Sequence, residues 1–552
     1  MLMTIASEGA RGARSAGIWL GRAGAGISAA FMIVITVLSV FSTVAFNGVS
    51  DEHVTIYTWL GPLNYMPLNG MFVFLLLVLA ISLAWKRGGL RVSERTLVGA
   101  MVLFTSLVGF AWVGIQGSVT TVFPDSQRLM DYATQAVQGD WSGFQISVGG
   151  TKELLATDNA LRYFTQYPFQ AGVFWYFYLV FSVVRDVSQH MFALQVINVF
   201  ANEVAILAIW CIGKAVLPTD RARRLLLLLL ALCFPLVFSA SFAYGNSLGL
   251  AFACCFLFCQ VRALACTSNS AGIGRSVRLV LLSFAPLSLA LVVKSTFVLF
   301  AIAALIAWVV RTLQHHCSWP SLAMLVVVVL AANTVSSIPT GLLEQVSGAS
   351  FGRGMPKTSW ILIGLSRSSL LDQAGWWDPT AWNLMLSTSN DYALQQSQGM
   401  ALIAQRISLF FQDPAGALGF FAEKLSTEWS EPTFGSLYYA STGMNAAGKA
   451  FDSYGALGYV APAPALIALF DGYQLIVYAG VLAALIGMAR GRSLVSAGLL
   501  LAAVFFTGFG CYLLWEAKSM YLLPFFVLLL PLAASGLADF FDGGCQGKGN
   551  AR

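Results

Sequence analysis

The sequence predicts an all-α polytopic membrane protein with about twelve transmembrane helices, on three observations. The 552 residues are 58% hydrophobic and only 10% charged, where a soluble domain carries about 25% charged residues. Mean hydropathy is +0.75, and many apolar runs approach the ~20 residues that a helix needs to cross a bilayer. Basic residues gather in one alternate set of short connections, the pattern of loops retained on the cytoplasmic side. An outer-membrane barrel is excluded, because its strands alternate apolar and polar residues and these Leu/Val/Ala runs do not.

The apolar runs place spans near 26–46, 67–85 and 97–117. Further spans are expected near 190–213, 225–243, 247–265, 279–293, 295–311, 320–338, 463–488, 494–513 and 520–540. The basic start, with Arg11, Arg14 and Arg22, leads into a full-length span and reads as a signal anchor. Segment 169–184 is apolar but short, and its Trp175, Tyr176 and Tyr178 suit a helix at the outer interface. Counting it as a span would send Arg221, Arg223 and Arg224 outside. With it excluded, Lys86, Arg87, Arg91, Arg95, Lys214, Arg221, Arg223, Arg224, Arg262, Arg275, Arg278, Arg311, Arg490 and Arg492 all fall on the cytoplasmic side, with few acids beside them, Glu94 and Asp220. Both termini are then cytoplasmic. The expected location is a cell membrane of the bacterial inner type, with the functional face outside.

This layout divides the chain. Residues 1–96 form a cytoplasmic segment and an extra transmembrane hairpin, and 97–338 a transmembrane core with a first outer loop at 118–189. Residues 339–460 form an extracytoplasmic region, and 461–552 the last spans and a short cytoplasmic tail. Loops as long as the two outer segments are usually functional or folded in their own right. The nine cysteines form no framework. Cys211, Cys233, Cys254, Cys255 and Cys259 lie in apolar runs, where a thiol acts as a small hydrophobe. Cys317 beside His315 and His316 is too sparse for a metal site.

The polar exceptions to this pattern are the candidates for chemistry. Phe123-Pro124-Asp125-Ser126 follows the third span directly, and a carboxylate there is costly to desolvate. Pro-Asp-Ser is also good turn chemistry, so a plain helix-ending turn is the competing reading. An amphipathic stretch from Arg128 through Asp131 comes next, and Tyr167-Pro168-Phe169-Gln170 further on. Tyr244-Gly245-Asn246-Ser247 lies on a later outer turn. Lys294 stands alone between two apolar runs, where it either meets an anion or snorkels to headgroups. The second outer segment offers Met355-Pro356-Lys357-Thr358-Ser359-Trp360, and a helix from Asp413 to Trp429. Lys424, Glu428 and Glu431 have the spacing to share one helical stripe, which an ordinary solvated face would also show. Trp515-Glu516-Ala517-Lys518-Ser519-Met520-Tyr521 and Pro524 lead into the last span.

The order of these motifs resembles the GT-C superfamily of membrane glycosyltransferases, in particular the relatives of protein O-mannosyltransferases and lipid A aminoarabinose transferases. Such proteins carry an Asp at the start of a first large outer loop, followed by interfacial helices and a Tyr/His/Lys-Pro-Pro-type motif. Here Asp125 and Tyr167-Pro168 stand in those places, without the second proline. Asn246 matches a polar outer turn, without the second acid often found there, and Lys294 matches a Lys near the turn of a short helical hairpin. Glu516, Lys518, Tyr521 and Pro524 resemble a Glu-x-Arg/Lys-x-x-Tyr-x-x-Pro motif before a span. The match by order of elements runs from Leu97 to Ile338, and the first two spans are additional to it.

The resemblance implies a GT-C-like fold and hexosyl or pentosyl transfer from a polyprenyl-phosphate-linked sugar, at the membrane lipid surface, to a glycan or protein acceptor. Asp125 would be the general base, and Lys294 and Lys518 would hold the donor phosphate. Asp131, Tyr167, Asn246, Lys357, Trp360, Lys424, Glu516 and Tyr521 are the candidates to hold acceptor or sugar. Such a donor brings its own leaving group, so neither a metal nor a cofactor is expected, and no nucleic-acid partner. Two other classes compete. A transporter or lipid-linked oligosaccharide flippase should carry mid-span charge, for which Glu203 is the candidate. A polysaccharide polymerase or ligase should use outer-loop arginines, here Arg353, Arg367 and Arg406.

Overall fold

The computed structural model describes residues 2–46, 52–59, 65–86, 92–116, 120–121, 123–145, 158–266, 270–314, 317–441, 443–444, 463–491 and 496–546. Arg87, Arg91, His315, His316, Arg492 and the end of the second outer segment, 445–460, lie outside the described residues. Among those described, eleven helices are long and apolar enough to cross a membrane, or twelve with one bent pair counted as a single span. Each expected span falls on one of these, and the protein is an all-α polytopic membrane protein.

Helix α1 (Leu2–Phe41) is followed by strands β1 (Ser42–Phe46) and β2 (Val54–Thr58), then α2 (Tyr65–Lys86) and α3 (Glu94–Gln116). The first span thus ends sooner than expected. Residues 42–46 are extended and pair antiparallel with β2, from Ser42↔Thr58 to Phe46↔Val54. β-branched Thr43 and Val44 suit a strand that is buried on both faces. Helices α4 (Pro124–Val137), α5 (Ala160–Gln166) and α6 (Ala171–Val183) fill the described part of the first long loop. The last of these is short and apolar, as expected of segment 169–184.

The core continues with α7 (His190–Val216), α8 (Asp220–Ala231) and α9 (Phe234–Phe238). The expected span at 225–243 is bent by 41° between the last two. Pro235 in the first turn of α9 supplies no N–H to continue the preceding helix. Next come α10 (Asn246–Leu264), α11 (Ser270–Leu282), α12 (Phe284–Val293), α13 (Val298–Leu313), α14 (Trp319–Val335) and α15 (Ile338–Ser347). The spans expected at 279–293 and 320–338 are longer in the structure, running Ser270–Val293 and Trp319–Ser347.

The second long segment is helical: α16 (Thr358–Gly364), α17 (Thr380–Ser387), α18 (Tyr392–Gln412), α19 (Pro414–Trp429) and α20 (Tyr438–Ser441). Asp391 and Asp413 cap α18 and α19 through the amides of Leu394 and Gly416, each at 2.9 Å. The chain closes with α21 (Ala463–Ala489), α22 (Ser496–Leu514) and α23 (Ser519–Gln546).

Consecutive spans run antiparallel, so the β1–β2 hairpin, the start of α4 and the α12–α13 and α22–α23 turns meet at one end of the bundle. The opposite end collects basic side chains on shared acids. Glu94 takes Lys214 at 2.7 Å and Arg223 at 3.8 Å.

Candidate active site

A cavity of about 790 Å³ opens at the hairpin end of the bundle. Its floor begins with the Phe-Pro-Asp-Ser tetrad, which starts a helix rather than ending one. Pro124 is the first residue of α4, where its missing N–H costs nothing. Asp125 follows in the first turn, where the helix dipole favours a negative charge. Phe123 is buried against the rings of Phe242, Tyr244 and Tyr439, with centroids at 5.2, 5.3 and 5.5 Å. Ser126 donates a hydrogen bond to the Ala243 carbonyl. The tetrad is therefore locked to the turn before α10, and Asp125 faces the cavity.

Asp125 accepts from the Tyr244 hydroxyl at 3.3 Å, and Arg128 lies 4.0 Å from its other oxygen. Its side chain is 32% exposed, and that exposure is to the cavity. Burial raises its pKa above the usual carboxylate range, although Lys518 and Arg128 pull the other way. A carboxyl so placed is a better base than an exposed aspartate.

Lys294 is the extended residue between α12 and α13. Its ammonium donates to Asn246 Oδ1 at 2.5 Å and lies 5.2 Å from the ring centroids of both Tyr244 and Tyr521. Burial, and then repulsion from Lys518, bring its pKa down to about 7. Two glycines set this corner. A side chain at Gly172 would strike the Val292 carbonyl, so α6 packs directly on the end of α12. Gly245, at φ +74°, turns the chain into α10 in a left-handed conformation that a Cβ would strain.

Lys518 is paired already. Glu52 accepts from it at 2.8 Å and Glu516 lies 3.9 Å away. Burial works to lower its pKa, but Glu52 and Glu516 outweigh that and raise it. Glu516 is pushed up to about 7 by burial, against the pull of Lys518. Glu52 also accepts from the Tyr439 hydroxyl at 3.1 Å. The hairpin carrying it is pinned at several points. The Val44 amide donates to Ser430 at 3.2 Å, Thr43 donates to Asp471 at 2.7 Å, and His53 meets Gln373 at 2.7 Å.

Of the residues singled out in the sequence, Asp125, Lys294 and Lys518 line this one cavity, with Tyr167, Lys357, Trp360, Glu516 and Tyr521. Trp360 stacks on Trp515 at 5.9 Å and approaches Tyr167 at 6.3 Å. Asn246 stands behind the wall and orients Lys294. Three expectations need correction. Asp131 is on the exposed side of α4, bonded to Gln127 at 2.8 Å, and does not line the cavity. Lys424 is fully buried and donates to the carbonyls of Gly364 and Trp515 at 2.7 and 2.6 Å, so it braces the end of α16 against the segment before α23 and does not line the cavity. The Lys424, Glu428 and Glu431 stripe is not a solvated face, for all three are buried. Glu203, the mid-span candidate, leans on Thr105 and Ser106 of α3 as a contact between helices.

The sequence reading missed Glu52 and Tyr439, and within Tyr244-Gly245-Asn246-Ser247 it singled out Asn246, whereas Tyr244 is the residue that lines the cavity. Glu52 was hidden in a short connection of a hairpin that had no assigned role; its acid beside the ends of two spans was the available signal. Among the described residues no group of three or more His, Cys, Asp and Glu side chains is arranged to hold a metal ion.

No protein-family model matches the sequence, and no curated protein matches it. Among solved structures, the chain is similar to the archaeal oligosaccharyltransferase AglB from Archaeoglobus fulgidus in complex with an inhibitory peptide and a dolichol-phosphate. That match has a TM-score of 0.38 and 12% identity, over 83% of this chain and 52% of the other. A second structure of an Archaeoglobus fulgidus oligosaccharyltransferase, tethered to an acceptor peptide, gives a TM-score of 0.37 at 12% identity, over 82% of this chain and 50% of the other. The chain spans about half the length of these structures. At this distance the likeness assigns neither a reaction nor a residue.

Proposed function

We propose that the protein is a membrane glycosyltransferase that moves a sugar from a polyprenyl-phosphate-linked donor to an acceptor hydroxyl on the extracytoplasmic side. The observation that carries this reading is that a carboxylate, Asp125, and a lysine poised between its charged and neutral forms, Lys294, line one cavity. The basic residues at the opposite end of the bundle support the orientation.

In the reaction the acceptor oxygen attacks the anomeric carbon while Asp125 takes its proton. The new carbon–oxygen bond forms as the bond from the anomeric carbon to the phosphate oxygen breaks. The electron pair leaves with the polyprenyl phosphate, whose added negative charge Lys294 receives. A single displacement of this kind inverts the anomeric centre. Lys294 is better suited to this than Lys518, whose charge is already shared with Glu52 and Glu516. Tyr244 touches the base by hydrogen bond and the cation by its ring, so it couples the two. Trp360 and Tyr167 offer faces to the sugar.

Asp125→Asn tests the base. Asn keeps the size and the turn chemistry but accepts no proton, and loss of a general base typically costs about 10²–10⁴ in rate. Transfer from a polyprenyl-phosphate sugar by purified, monodisperse Asp125→Asn protein should fall by that much. Near-normal turnover would remove Asp125 from the mechanism.

A further inference from the structure

The mouth of the cavity differs from its floor. Four cations line it: Arg128, Arg162, Arg353 and Lys357. The first two share Asp158, at 3.1 and 2.6 Å. Arg353 lies 4.0 Å over the Tyr392 ring. Among the described residues neither Arg353 nor Lys357 has a carboxylate partner. The acid nearest in sequence that also lines the cavity, Asp378, is committed elsewhere. Its oxygens accept from the amides of Ser369 and Thr380, both at 2.8 Å, and from both hydroxyls.

Three of these cations, Arg162, Arg353 and Lys357, stand on one wall. The Met355 amide donates to the Gln166 carbonyl at 3.0 Å, so segment 353–357 runs along the end of α5, and Arg162 sits one turn earlier on that helix. Aromatic faces lie among them. Arg162 is 5.3 Å from the Trp382 ring, and Trp360, Trp377 and Tyr392 complete the panel. Flat rings suit the apolar faces of pyranoses, and guanidinium forks suit carboxylate or phosphate. A neutral sugar would leave the two charges that lack a carboxylate, Arg353 and Lys357, without an anion to meet. The cavity volume, about 790 Å³, is in the ~300–1,000 Å³ range of sites that enclose a small ligand.

We propose that this mouth binds an anionic saccharide, so that the acceptor is a sugar bearing carboxylate or phosphate groups. The inference rests on the glycosyl-transfer reading and supplies its acceptor class.

The test is calorimetric titration of the full chain in lipid nanodiscs, which carry no sugar-headed detergent. The probes are two matched pairs: trigalacturonate against maltotriose, and mannose 6-phosphate against mannose. The charged member of at least one pair should bind about tenfold or more tightly than its neutral counterpart, as charge-assisted contacts give. That preference should shrink with added salt and vanish in Arg353→Gln/Lys357→Gln, both exposed positions where Gln is tolerated, while Lys294→Ala retains it. Preference in the first pair marks carboxylate, and in the second phosphate. Equal affinity within both pairs, or a preference that survives the double variant, overturns the proposal. Undecaprenyl phosphate titrated into the same discs checks folding and tests the donor reading separately. Its binding should depend on Lys294 and not on Arg353 or Lys357.

Discussion

Lys294 and Lys518 both line the cavity, yet only the first has its charge in the balance at neutral pH. Burial and the Lys518 charge hold Lys294 at about 7, so it is charged below that pH and neutral above it. A bound phosphate favours the charged form. Affinity for undecaprenyl phosphate, relative to Lys294→Ala, should therefore be highest near pH 6 and fall as pH rises through about 7, by up to about tenfold per unit. Binding isotherms at a series of pH values would show it, and parallel curves for the two proteins would return Lys294 to a spectator role. Glu52 acts through its neighbours. Burial is what chiefly raises the Asp125 pKa, and the Glu52 charge adds to it while partnering Lys518. In Glu52→Gln the acid limb of the rate profile should move to lower pH, because Asp125 ionises more easily, while Glu52→Asp should keep much of the native profile. An unshifted limb in Glu52→Gln would separate the hairpin from the chemistry. Asp125 and Lys294 were legible in the sequence because a lone charge beside an apolar run is conspicuous. Glu52 was not, since an acid in a loop between spans is unremarkable until its partner, 466 positions away, is known.

Two elements show what periodicity misses. Residues 42–46 continue an apolar run, so hydropathy alone extends the helix through them. The structure turns them into a strand because Val54–Thr58 offers a matching edge and Ser430 a backbone partner. Lys424 shows the reverse error. Its spacing with Glu428 and Glu431 is that of a polar stripe, but the C-terminal end of the helix, from Lys424 on, is enclosed by other segments, so the ammonium spends its hydrogen bonds on Gly364 and Trp515. Lys424→Met should then act on stability rather than on ligand. Each carbonyl left unpaired costs about 1–3 kcal/mol, which should lower the thermal midpoint while leaving the acceptor KM near normal. A raised KM at unchanged thermal midpoint would restore Lys424 to the binding site.

At the scale of the whole molecule, the two ends of the bundle differ in kind. Arg221, Arg223 and Lys214 crowd one end, and the cavity, lined by acids and cations together, occupies the other. The spans were legible because each is an uninterrupted apolar run. Their gathering around one cavity was not, because it depends on side chains from loops far apart in sequence. Orientation is open to direct measurement. On a background without native cysteines, an impermeant thiol reagent should label Ser142→Cys and Ser397→Cys in intact cells, and Arg221→Cys only after permeabilisation. The opposite pattern would invert the topology and, with it, the use of a flipped lipid donor. The Glu52–Lys518 pair joins a loop after the first span to the residue just before the last. Helices leave the ribosome in order, so for nearly the whole of synthesis Glu52 has no cation to meet. The cavity is consequently completed only once the chain has reached its last span, and a chain stopped short of Lys518 would insert most of its helices without ever closing that pair.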